Sequence, residues 1–311
     1  MKVKKEYLNF YYETIGEVDE PKIDPAKTAL LIVDLQNEFV KRDFGEALEF
    51  KKNGEWDRWI PFHDRLDDIV IPNNRKLLEC FRKNKMIVSY GRIACLREDG
   101  EDRSPVQKSE GWNGMLLPVN GYAAQIIDEL KPLEDEIVVN KTTDSVTTGT
   151  NYLTLLRFMG IETVVVTGIV TDQCVASTVR GLADDGFKVI CVEDACAAGS
   201  QELHDAELKI MSVIYCDVLS TDETIKLIEK GCLRSGKTQA GCAADLGIPK
   251  RTLGKWVRAR KPAGPKRAKV EETRELRKEA YSNCCSLWLL IGASLLCAHI
   301  NSQSEIGRAH V

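Results

Sequence analysis

From about residue 27 to about residue 230, short apolar runs alternate with stretches whose apolar residues recur at helical spacing. KTALLIVDL (27–35) is continuously apolar and ends on an aspartate, the pattern of a strand buried on both faces. MIVSYGRI (86–93), EIVVNK (136–141), ETVVVTGIV (162–170), FKVICVEDAC (187–196) and SVIYCDVLS (212–220) read as further strands. Between them, Leu77, Leu78 and Phe81 predict a helix over 72–84, and GYAAQIIDEL predicts an amphipathic helix over 121–130. Helices are also expected over 151–160 and 174–186, each stopped by a glycine, over 201–212, and from Thr221 to Lys230.

Six strands alternating with helices predict an α/β fold: a doubly wound, mostly parallel six-stranded sheet flanked by helices, with a small helical C-terminal appendage. In such sheets functional groups collect at the carboxyl ends of the strands. Three of those ends carry conspicuous polar residues: Asp34, Lys141, and the turn from Gly168 to Cys174. No G-x-G-x-x-G follows any strand, so a dinucleotide site is not expected.

Composition changes this picture mainly at the C-terminus. Over the whole chain, 43% hydrophobic and 29% charged residues suit a protein with a buried core, and the net charge is −4. Residues 1–232 carry 28 Lys and Arg against 41 Asp and Glu, a net of −13. Residues 233–280 carry 14 against 5, a net of +9, so an acidic body adjoins a basic segment. The organisation expected is a main α/β domain over 1–231, a basic segment over 232–280, and a tail over 281–311. The eleven cysteines form no CxxC pair, and most lie in apolar runs, as reduced thiols do. MKVKKEYLNFYYE lacks the apolar run of a secretory leader, and a cytoplasmic location without membrane association is expected.

The strand-end residues suggest a chemistry. Cys174 directly follows a strand and opens a helix, where unpaired N–H groups and the positive dipole end favour a thiolate and can hold an oxyanion. An aspartate on one neighbouring strand end could take the thiol proton, and a lysine on another could orient it.

LLIVDLQNEF (30–39), VVNKTTDS (138–145) and VVVTGIVTDQCVASTVRGLADDGFKVICVEDAC (164–196) resemble, in order and spacing, the three signature blocks of the isochorismatase-like cysteine hydrolases. That family includes nicotinamidase, N-carbamoylsarcosine amidase, ureidoacrylate hydrolase and biuret hydrolase, and the similarity spans roughly residues 25–228. The resemblance implies Asp34 as general base, Lys141 as its electrostatic partner and Cys174 as nucleophile. It also implies a cis peptide between Ile169 and Val170, with the N–H groups of Val170 and Cys174 as oxyanion hole, and a homo-oligomer. The expected reaction is C–N hydrolysis of a small amide, carbamoyl or ureido substrate through a thioester. Nicotinamidases carry an Asp-x-His metal cluster after the second strand, whereas GRIACLREDGEDRS (91–104) has no histidine, so neither metal nor cofactor is expected. Two other readings stay open. One is vinyl-ether hydrolysis by Asp34 with Cys174 a bystander, and the other a catalytically inactive sensor joined to a DNA-binding unit.

Substrate-binding candidates are Gln36, Phe39, Tyr90, Arg92, Trp112 and Asn113, with Arg92 and Arg103 able to grip a carboxylate. The insertion over 44–66 is expected to form a lid or a subunit contact, with Trp56, Trp59 and Phe62 as packing residues. Residues 238–258 resemble a transposase-type helix-turn-helix whose second helix presents Lys250, Arg251, Lys255 and Arg258 to phosphates, the only expected route to DNA. The apolar run 284–298 is too short to span a bilayer, which needs about 20 residues. The closing SEIGRAHV resembles translated adapter sequence, which marks the tail as artefactual.

Overall fold

A computed structural model describes residues 4–16, 18–110 and 114–234. Trp112, Asn113, the helix-turn-helix expected over 238–258 and the tail over 281–311 lie outside the described residues. The strands are β1 (Thr28–Val33), β2 (Ile87–Ile93), β3 (Ile137–Lys141), β4 (Thr163–Ile169), β5 (Lys188–Ala197) and β6 (Asp217–Leu219). The helices are α1 (Asn37–Val40), α2 (Glu46–Lys52), α3 (Trp56–Arg65), α4 (Ile71–Lys83), α5 (Tyr152–Phe158), α6 (Ala176–Asp184), α7 (Gln201–Met211) and α8 (Thr221–Arg234).

The strands form one sheet in the order β3-β2-β1-β4-β5-β6, and every pairing is parallel. The chain winds outward from β1 to β3, then returns to lay β4 on the other side of β1, which makes the β1/β4 boundary the switch point. Every residue of β1 and β4 is buried, which accounts for their unbroken apolar sequence. Helix α4 packs on β1, β2 and β5 and against α8, while α6 and α7 pack on each other and on β5. No helix among the described residues is long and apolar enough to cross a membrane, and Cys80, Cys95, Cys174, Cys191, Cys196 and Cys216 are free thiols.

Three elements depart from the expected pattern. Residues 121–130 form no α-helix, only a single tight turn at Asp128–Leu130. Their backbone is spent on the segment after β1 instead: Asn37 N–H donates to Gln125 O, Glu38 N–H to Ala123 O, and Ile127 N–H to Leu35 O. The insertion is helical, as α2 and α3, and α3 runs through a wide π-type turn (Leu66–Val70) straight into α4. Helix α8 passes the expected boundary at 231 and ends at Arg234. Its last turn is part of the body: Gly231 has no room for a side chain because Ile23 O lies against it, and Cys232 is 1% exposed beside Asn84.

Candidate active site

Asp34, Lys141 and Cys174 come from the ends of β1, β3 and β4 and meet in one place. Asp34 follows β1 at a positive φ of 52°, a conformation aspartate tolerates better than most residues. Its N–H donates to Gly91 O, and its Oδ1 accepts from Ile93 N–H at 3.1 Å, which fixes the carboxylate over the end of β2. Lys141 lies two strand spacings away, about 9.6 Å, and the two side chains extend toward each other until Nζ and Oδ2 are 2.8 Å apart. The same Nζ lies 3.4 Å from Cys174 Sγ and 3.2 Å from Thr143 O. It therefore donates to Sγ and the carbonyl, while Asp34 Oδ2, at ion-pair distance, has no hydrogen-bond partner among the described residues. Asp34 is 2% exposed and Lys141 1%.

Cys174 belongs to a wide helical turn (Thr171–Val175) that leads into α6. Gly168 makes the approach to that turn possible. Its φ is +111°, and a Cβ there would lie 2.0 Å from Val33 O. The Ile169–Val170 peptide is cis. Val170 O accepts from Gln173 and Val175 N–H, while the Val170 N–H has no hydrogen-bond partner among the described residues. Behind the turn, His204 of α7 is 1% exposed, with Nδ1 2.8 Å from Thr171 Oγ1 and Nε2 3.1 Å from Arg65 Nη2. Arginine can only donate, so the His204 proton sits on Nδ1 and is donated to Thr171. Burial and the nearby guanidinium push the His204 pKa down to about 4, which keeps the ring neutral. Arg65 also donates to Cys196 O and Glu193 O, tying α3 to the end of β5.

The electrostatics differ from the expected helix-end thiolate. Burial, followed by the facing Asp34 carboxylate, pushes the Cys174 thiol well above its ordinary range, with Lys141 opposing. Burial also raises Asp34 against the pull of Lys141. For Lys141, burial acts downward but the charges of Asp34 and Cys174 outweigh it, so its pKa is raised. The resting nucleophile is a thiol beside a carboxylate–ammonium pair, and it needs a base when it attacks.

Cys174 and Asp34 open into a cavity of about 560 Å³. Of the substrate-binding candidates, Phe39 lines it. Gln36 is fully buried beneath it, donating to Ile93 O and Ala124 O and accepting from Ile93 N–H. Tyr90 is fully buried and bonds Glu136 and Arg82. Arg92 bonds Asn140 and Gln125 and faces a different depression with Asn37 and Tyr122. Arg103 is held by Gly100 O and Gln107 O. The wall is built instead from the insertion: Glu46 and Phe50 of α2, Trp59 and Phe62 of α3, with Asp172 and Gln173 beside the cysteine. The indole of Trp59, expected to be a packing residue, lines this cavity and stacks on the Phe50 ring.

A family model described as "Isochorismatase domain" matches residues 28–223. An isochorismatase family protein of Bacillus subtilis (strain 168) is 30% identical over 207 residues, covering 67% of this chain and 97% of its own. The ureidoacrylate amidohydrolase of Acinetobacter baylyi is 27% identical over 232 residues, 69% of this chain and 89% of its own. Among solved structures, a cysteine hydrolase from Pseudomonas syringae pv. phaseolicola matches with a TM-score of 0.60 and 23% identity over 70% of this chain and 100% of its own, a likeness of fold.

Proposed function

The chain belongs to the isochorismatase family, and we propose that it hydrolyses a C–N bond of a small amide, carbamoyl or ureido compound with Cys174 as nucleophile. The observation that carries this reading is the buried contact of Cys174 Sγ with a Lys141–Asp34 ion pair at the base of a substrate-sized cavity. The amidohydrolase relative supports the reaction class.

In the first half-reaction Asp34 takes the thiol proton as Sγ attacks the carbonyl carbon, so no free thiolate need accumulate in the buried site. Negative charge then develops on the carbonyl oxygen, where the unpaired N–H of Val170 and the N–H of Cys174 stabilise it. The C–N bond breaks as the proton on Asp34 passes to the leaving nitrogen, leaving a thioester and free ammonia or amine. Water attacks the thioester with Asp34 again as base, the acid is released and the thiol regains its proton. Lys141 keeps Asp34 ionised between these steps and holds its carboxylate in place. Arg65, His204 and Thr171 act as positioning residues for the turn that bears the nucleophile.

The test is ammonia or amine release across a panel of carbamoyl, ureido and simple amide compounds. Turnover of at least one class is expected. Cys174→Ala should abolish it, and Cys174→Ser should lower it by about 10³-fold or more, since a serine here has no base matched to its pKa. EDTA is expected to leave the rate unchanged. Three carboxylates in the 91–104 loop are already engaged, Asp102 by the N–H groups of Leu96 and Arg97, Asp99 by the Arg97 guanidinium, and Glu101 by Lys108. Full activity in Cys174→Ala would refute the thioester and favour vinyl-ether hydrolysis by Asp34.

A further inference from the structure

The cavity in front of Cys174 carries more negative than positive side chains, and apart from Asp34, paired with Lys141, its acids have no ion-pair partner among the described residues. Glu46, Glu55 and Asp172 line it, against Arg58. Glu55 and Arg58 are exposed at its rim. Lys141 is consumed by Asp34, Cys174 and Thr143. Glu46 is half-buried at the start of α2 and has no hydrogen bond or ion pair among the described residues. Burial, and then the neighbouring Glu38 carboxylate, push its pKa up to about 7. Asp172 Oδ1 is shut off from solvent and has no hydrogen-bond partner among the described residues. A buried acceptor without a donor is costly, and a ligand that brings N–H groups removes that cost. Part of the remaining wall is aromatic, with the Phe50 and Trp59 rings stacked at 4.3 Å and 7° and Phe62 edge-on to Trp59.

We propose that this cavity selects neutral or cationic substrates rich in N–H groups and rejects carboxylate-bearing ones, with Glu46 and Asp172 as the specificity-determining residues. The proposal rests on Cys174 being the nucleophile at the base of the cavity. A substrate carboxylate would be brought among like charges, with Arg58 at the rim as its single counter-ion from the lining. Ureido or cationic nitrogen would instead make charge-assisted hydrogen bonds to the two acids, while a flat apolar body lies against Trp59. The Acinetobacter relative named for ureidoacrylate, an anion, would then differ from this protein in substrate charge.

Two methanethiosulfonate reagents of matched size, one ending in ethylammonium and one in ethylsulfonate, test this without knowledge of the substrate. Each transfers its thioalkyl group to a thiol with loss of methanesulfinate, and peptide mapping reads the rate at Cys174 against that of a small free thiol. At about pH 8.5, where Glu46 is ionised, the cation is expected to be favoured by about a hundredfold, the effect of two uncompensated charges close to the thiol. Glu46→Gln should cut the preference by about tenfold, the share of one charge, and Glu46→Asp should restore part of it. Hydrolysis should follow the same order across pairs of ureido compounds with and without a carboxylate. A ratio near one, or an inverted one, overturns the proposal even if amides are turned over. Charge selectivity at Cys174 without turnover of any amide supports the cavity's preference and refutes the amidohydrolase reading. Failure of both reagents at Cys174, with other thiols labelled, removes the nucleophile and the proposal together. If both Glu46 variants unfold, the wild-type ratio and the paired substrates decide.

Discussion

Replacing Lys141 with methionine keeps most of the side chain's length but removes its charge, and Asp34 becomes a buried acid with no cation. The two groups sit 2.8 Å apart with side chains at most 3% exposed, so water cannot take over from the ammonium. Asp34 keeps the N–H of Ile93 at 3.1 Å, a single neutral donor. Breaking a pair enclosed to this degree costs about 3–5 kcal/mol when the remaining charge stays. The folded variant has an alternative, which is to protonate Asp34. Burial already raises this pKa with Lys141 opposing, and without Lys141 it rises further. An acid whose pKa is higher in the folded than in the unfolded state holds more protons when folded, so stability falls as pH rises. The fall begins near the unfolded value of about 3.9 and proceeds at up to about 1.4 kcal/mol per pH unit until the folded pKa is passed. The deficit of Lys141→Met against wild type is therefore expected to be small near about pH 4 and to reach about 3–5 kcal/mol near about pH 7.5. Urea unfolding followed by tryptophan fluorescence at steps across that range measures it. The double variant Asp34→Asn/Lys141→Met should recover most of the deficit, because no charge is left buried. A deficit equal at both ends of the range would show that Asp34 is not the group left exposed to the loss, and would refute the reasoning.

Three further outcomes are expected. Gly168→Ala should cost more than about 2 kcal/mol, since it adds left-handed strain to a Cβ 2.0 Å from Val33 O, and thermal unfolding will show it. His204, with a folded pKa of about 4 against about 6.5 unfolded, is depressed, so the stability it lends is present above about pH 6.5. That stability is lost as pH falls toward 4, by about 3 kcal/mol in all. The pH profile of unfolding in His204→Asn should lack this slope, and an unchanged profile would place the titration elsewhere. A chain ending after Arg234 should keep the melting temperature and turnover of the full chain, whereas one ending after Gly231 should melt lower. The shorter chain loses the buried Cys232 and the bond from Arg234 to Ile23 O.

The strands were legible because burial on both faces leaves a signature no other element shares, and β1 and β4 show it at every position. Residues 121–130 show the limit of that logic. Ala123, Ala124, Ile126 and Ile127 have the period of an amphipathic helix, and all four side chains are in fact turned away from solvent or half so. What the pattern cannot register is the demand of a distant segment for backbone partners. Residues 35–38 needed acceptors and a donor, and took them from this stretch. The period described the side chains correctly, and tertiary hydrogen bonding decided the backbone.

The site divides along a similar line. Asp34, Lys141 and Cys174 could be read because strand ends of a doubly wound sheet converge by topology alone, whatever surrounds them. Tyr90 and Arg92 do not line this cavity. Side chains alternate along a strand, and Ile93 faces the cavity, so its neighbours in the opposite phase, Arg92 and Tyr90, are carried to the other side of β2. Gln36 fails for another reason. Its amide is fully buried and both N–H donors are spent on carbonyls, so it has no donor to give a ligand and no surface to offer it from. Glu46 and Trp59 were beyond reach because their role depends on how α2 and α3 lie over the sheet end. An acid in the first turn of a helix reads as a solvated group favoured by the dipole, and only the placement of the insertion turns it into an enclosed carboxyl. The Asp34–Lys141–Cys174 cluster is thus placed by the strand ends, while much of the wall of the cavity in front of it comes from the inserted segment. A change of substrate among related chains is therefore expected to track residues 44–66 rather than the strand ends.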